Sequence, residues 1–259
     1  MNQQFYKQNF NRMSYGELRH YSPNILAFPG LCAMKLCGLL PTAPTFSPMP
    51  TKIAFVEFER LSARCREFIS PAMASFQRLG FEILGFEIDP SCENPNYIDG
   101  GGCHLVHPTR NFIALVSYHN FVEMPGMPGE FSGLTVWAQF ENNSSLGLVN
   151  HRFTNYFNDK VLNRRTFYRE ASSPFKMLPV FEKLLEKFGD DRGAPAAIRT
   201  IKDLGSLLEK QSRQVLEAGL KSGRFVPMSE LETIKMKQER IDKMSVLSDR
   251  FQDSATVRL

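Results

Sequence analysis

Apolar and polar positions hold one period over a stretch and then switch, and the switches outline the elements. From Ala72 to Leu79 the spacing is helical, with Ser70-Pro71 as cap and first turn and Gly80 as a left-handed exit. Phe81 to Ile88 then alternates apolar with polar, the period of a strand. Upstream, Lys52 to Phe58 reads as a short strand and Glu59 to Phe68 as a helix broken at Pro71. Asp89 to Gly102, with Pro90, Pro95 and three consecutive glycines, reads as a loop.

Two hairpins follow. Cys103 to His107 and Phe112 to His119 flank the turn residues Pro108-Thr109-Arg110-Asn111. With His107 opposite Phe112, Cys103, Leu105, His107, Phe112, Ala114, Val116 and Tyr118 share one face. His104, Val106, Ile113, Leu115, Ser117 and His119 take the other. Leu134 to Glu141 then pairs with Leu146 to Phe153 across Asn142-Asn143-Ser144-Ser145. This register groups Val136, Ala138, Phe140, Gly147, Val149 and His151 against Trp137, Gln139, Glu141, Leu146, Leu148 and Asn150. Both faces of both hairpins carry apolar residues, which predicts a sheet covered on its two sides.

The covers are helical. Phe175 to Phe188 places Leu178, Phe181, Leu185 and Phe188 on one side, and Ala196 to Leu220 carries a stripe of Ile198, Ile201, Leu208 and Val215. The capping box Ser229-Glu230-Leu231-Glu232 opens a last helix to about Leu247, with Leu231, Ile234, Ile241 and Met244 aligned. The expected class is α+β: a helix followed by an antiparallel β-meander of about five strands, flanked by C-terminal helices. Residues 1–50 are expected as a loosely ordered arm with an apolar segment and a proline-rich connector, Pro41 to Pro50. Residues 51–189 form the core domain and 190–259 a helical extension.

Composition narrows the picture modestly. At 259 residues the chain can bury a sizeable core, and 22 Phe against one Trp predict that phenylalanine fills it. The net charge of +4 is spread without a basic block, so nothing calls for nucleic acid. Five cysteines without a CxxC pair argue against a disulfide framework or zinc knuckle and point to a reducing, cytoplasmic setting. Ile25 to Leu40 is the most apolar run, too short for the roughly 20 residues of a bilayer span. It is expected to fold over the core; the second reading presses residues 24–40 against a membrane surface.

Cys103-His104-Leu105-Val106-His107 is the sharpest chemical cluster, but a strand disperses it. His104 and His107 point to opposite faces, and Cys103 lies about 13 Å from His107 at roughly 3.3 Å per residue. Metal ligation therefore has no basis here, and no cofactor motif occurs: the three glycines lack the spacing of a phosphate loop. Glu82 and Glu87, an odd number apart, fall on opposite faces, so they make no carboxylate pair. Arg164-Arg165 with Phe167 and Tyr168 reads as a solvated, aromatic-studded loop.

Two functions from different classes remain. The first is a non-catalytic binding or interaction protein using Met124 and Met127 of the turn-rich loop Met124 to Gly129, Trp137, and a protein partner or second copy held through the C-terminal helices. The alternative is a small-molecule hydrolase with His151 or His104 as general base in a cleft on the sheet.

Overall fold

A computed structural model describes residues 4–22, 25–45, 48–89, 97–121, 129–151, 156–171 and 173–256. β1 (Tyr6–Asn9) runs into a short 3-10 turn capped by Asn9, and a capping box between Ser14 and Glu17 starts α1 (Tyr15–Tyr21). α2 (Ala27–Leu36) and β2 (Thr42–Pro44) follow. The first fifty residues thus carry regular elements where a loose arm was expected.

After β3 (Ala54–Val56), α3 (Ala63–Arg78) is one continuous helix, not two broken at Pro71. Its cap is Ser62, whose side chain accepts from the Cys65 amide at 3.0 Å. Pro71 and Glu67, whose carbonyl the proline leaves without its usual amide, both stand on the exposed side, where water can serve that carbonyl. Cys65, Ile69 and Phe76 form the buried side.

β4 (Glu82–Ile88), β5 (Tyr97–His107), β6 (Phe112–Phe121), β7 (Glu130–Gln139) and β8 (Ser145–Val149) continue the sheet. α4 (Tyr156–Val161) crosses over to β9 (Arg164–Tyr168). α5 (Pro174–Phe188), α6 (Ile201–Lys221), β10 (Phe225–Pro227) and α7 (Glu230–Thr256) complete the chain. Among the described residues the strands make two sheets. One runs β3-β4-β5-β6-β7-β8-β9, antiparallel except for β8 with β9; the other is antiparallel, β10-β1-β2. The α+β class holds, but the sheet is larger and mixed, not a five-stranded antiparallel meander. Arg164 to Tyr168, expected as a loop, is its parallel edge strand.

Gly100 to Gly102 also lie within a strand, β5, where a loop was expected. A Cβ at Gly101 would stand 2.6 Å from the Glu87 carbonyl oxygen, so glycine here permits close approach of neighbouring backbone. Helices cover both sheet faces, as the apolar pattern predicted. α3 and α5 bury Ile69, Phe76, Met177 and Phe181 against Leu105, Ala114, Val116, Val136 and Leu146. On the second face Leu204 of α6 meets Ile113 and Trp137. The stripe on α7 does not join this cover: Leu231, Ile234 and Ile241 are exposed, and Met236 is the residue that packs, against Phe5 and Met228.

Candidate functional site

The second face of the large sheet gathers the polar chemistry. The β5–β6 register is the one expected, His107 opposite Phe112 and His104 opposite Leu115, so His104, Ser117 and His119 share this face. β4 contributes Glu87 through a bulge between Ile83 and Gly85. The extra residue rephases the strand, so Glu82 pairs with Val106 and Glu87 with Gly102, both on the second face. The expectation that these two carboxylates oppose each other is thereby corrected. His104 Nε2 lies 2.8 Å from Glu87 Oε2 with both groups buried, although the ring N–H is not aligned as a hydrogen bond. His104 Nδ1 has no hydrogen-bond partner among the described residues.

β8 enters three residues out of the expected register, an odd slip. Gln139 pairs with Ser145 and Val136 with Leu148, because Asn143 takes a left-handed conformation (φ 63°) and the Phe140 amide closes onto the Ser144 carbonyl at 2.9 Å. That shift turns every β8 side chain over. Leu146 and Leu148 join Val136 and Ala138 in the core, while Gly147, Val149 and His151 fall with Trp137. His151 packs over Gly133, where a Cβ would stand 3.2 Å from its Cδ2 and 2.7 Å from Ser117 Oγ.

These corrections bring His104, His151 and Trp137 to the wall of one cavity of about 290 Å³. That is near the lower end of small-ligand pockets, about 300–1,000 Å³. Trp137, expected on a contact surface, is buried here. Leu115 and Val149 line the sheet side, Leu208 of α6 the roof, and Asp159, Arg164 and Thr166 a polar end. Arg164 is braced by Gln211 (2.9 Å), which donates in turn to Gln139 (3.1 Å). Thr166 donates to Asp159 at 3.1 Å. Burial raises the Asp159 pKa above the usual carboxylate range and lowers that of Arg164, each a response to desolvation of the charged form. Burial, helped by the charge of His119, lowers the His151 pKa. His119 itself turns to Asp89, with Nδ1 and Oδ2 2.5 Å apart.

The His151 shift has a stability consequence. Its folded pKa is below the unfolded value of about 6.5, so the unfolded chain binds the proton first as pH falls. This contribution is complete above that pH and declines below it. Asp159, shifted upward, works in the opposite sense, so the comparison needs a variant. In urea titrations between pH 7.5 and 5.5, His151→Gln is expected to lose less stability than wild type. Parallel curves would remove the imidazole as the cause.

The remaining candidates lie elsewhere. His107 is on the opposite face beside Phe81 and Phe112. Cys103, also on that face, and Cys65 are thiols pushed up to about 12 by burial, which excludes them as thiolate nucleophiles near neutral pH. Met124 and Met127 fall outside the described residues, as does Cys92. Among the described residues no three His, Cys, Asp or Glu side chains gather as a metal site, and no helix is long and apolar enough to cross a membrane. Glu87, Asp159 and Arg164 were missed as site residues; the lone Gly85 inside a strand pattern was the available signal for the bulge. No family model, curated protein or solved structure matches the chain.

Proposed function

We propose that the chain binds a small uncharged or singly anionic molecule in the cavity on the second sheet face and hydrolyses it, with His104 as general base. The supporting observation is a buried histidine, carboxylate at its back, on the wall of a half-open cavity with an apolar side and a polar end. With the proton on Nε2 facing Glu87, Nδ1 holds the lone pair, and because both nitrogens are buried at rest the ring turns toward the cavity to meet water. It takes a proton from water as the water oxygen adds to an acyl carbon, and Glu87 stabilises the imidazolium formed. The proton then passes to the departing alcohol oxygen, giving acid and alcohol. Arg164 supplies positive charge at the polar end, and Trp137, Leu115 and Leu208 hold an apolar body.

The test uses p-nitrophenyl acetate and butyrate as probes. Wild type is expected to turn them over, His104→Gln to lose about a hundredfold in kcat/KM, and Glu87→Gln to lose less. Rates unchanged in folded His104→Gln protein end the reading. The competing function, a non-catalytic contact protein, draws on the exposed Leu231, Ile234 and Ile241 of α7 and has its test in the oligomeric state in solution.

A further inference from the structure

α2 reverses the usual arrangement of a surface helix. Its inward side is Ala27, Phe28, Leu31, Cys32 and Lys35, with Phe28 and Leu31 against Met13, Leu18 and Leu40. The helix's one charged residue, Lys35, thus turns inward, donating to the Asn11 carbonyl and lying over the Tyr15 ring at 5.6 Å. The outward side is Leu26, Pro29, Ala33, Met34, Leu36 and Cys37, without one polar side chain. Leu26 is 87% exposed and Leu36 77%, and Ile25 and Leu39 extend the patch past both ends. An all-apolar face turned to water marks a docking surface, and ten residues are too few to span a bilayer.

Charge selects the occupant. In residues 1–56 the sole acidic residue is Glu17, against Lys7, Arg12, Arg19, Lys35 and Lys52; of these Lys7 is paired with Glu232 and Lys35 turns inward. Glu17 is buried and paired with Arg224, so it offers no negative charge to the outside. Arg12 and Arg19 are exposed on the turn and on α1, the helix that packs against α2. Apolar side chains beside the exposed guanidinium groups of Arg12 and Arg19 match an anionic bilayer surface, where hydrocarbon enters the headgroup boundary and the cations meet lipid phosphates and carboxylates. We propose that α2 docks this protein on an anionic membrane surface.

The test sediments the full chain with vesicles of phosphatidylcholine alone or with 30% (roughly, a mole fraction typical for such assays) phosphatidylserine. Binding to the anionic vesicles is expected to be at least about tenfold stronger, to fall as salt is raised, and to fall about tenfold or more in Leu26→Asp/Leu36→Asp protein. Both positions are exposed, so the urea midpoint of that variant should match wild type, which separates lost docking from lost folding. Absence of sedimentation, equal binding to neutral vesicles, or binding indifferent to the double substitution overturns the proposal. So does light scattering that finds a dimer abolished by the same substitutions in a chain that ignores vesicles, which would give the face to a second copy. Esterase activity of the double variant stays at the wild-type level, so this result stands apart from the cavity.

Discussion

Replacing Arg224 by methionine is expected to remove about 3–5 kcal/mol of stability, the loss typical when one partner of a buried ion pair is deleted. Arg224 is 2% exposed, and its Nη1 donates to Glu17 Oε1 at 2.6 Å. In the orientation its surroundings require, the Gln8 amide oxygen accepts from Arg224 Nε and Nη2 at 3.3 and 2.9 Å. The other oxygen of Glu17 is occupied locally, accepting from the Ser14 amide at 2.7 Å to close the capping box of α1. One carboxylate therefore starts a helix and fastens it to a residue far along the chain. The single change strands Glu17 as a buried charge without its cation. Substituting both members, Glu17→Leu with Arg224→Met, removes that charge and should recover most of the loss, short of about 0.5–2 kcal/mol for the lost cap. Urea midpoints of the two single variants and the double variant check this; an Arg224→Met midpoint within experimental scatter of wild type would sink the assignment.

Gly101→Ala should cost about 3 kcal/mol, the upper end of the range for overpacking. The new methyl would lie 2.6 Å from the Glu87 carbonyl oxygen, 3.0 Å from Leu61 Cδ2 and 3.3 Å from Cys65 Sγ. Leu61 can swing aside, but the carbonyl belongs to the β4 backbone, where Ile88 pairs with Gly101, and moving it disturbs the ladder that carries Glu87. Gly30→Ala is the control, because nothing lies within 4 Å of its Cβ position and alanine suits a helix better. Thermal midpoints within a degree of each other for the two variants would mean that the strands can part at no cost.

What the sequence disclosed and what it hid divide along physical lines. The β5–β6 register was legible because Pro108 to Asn111 make a turn of fixed length between alternating runs, with Asn111 taking φ 56°. The β7–β8 register was not, since Asn142-Asn143-Ser144-Ser145 suits several loop lengths and the choice rests on which residue adopts the left-handed conformation. An odd slip of three residues put His151 on the wrong face, and with it the cavity disappeared from view. The bulge in β4 hid Glu87 in the same way, by changing parity inside a strand whose outer pattern looked regular. Pro71 and Gly100 to Gly102 misled because local propensity favours a break or a loop there, and tertiary placement overrode it: the proline faces water and the glycines let strands close in. Arg164 and Asp159 lie far in sequence from His104, and only the crossover from β8 through α4 to β9 carries them to it.

The order of the small sheet also bears on how the protein is born. β1 lies between β2 and β10, and Tyr6 pairs with Pro227. At about 5–20 residues per second, translation leaves the first strand waiting roughly 10–40 seconds for that neighbour to emerge. For this interval one edge of the nascent β1–β2 pair offers free amides and carbonyls to any other chain nearby. β1 is thus made long before its second neighbour, and crowding on a polysome is the condition under which its open edge pairs wrongly.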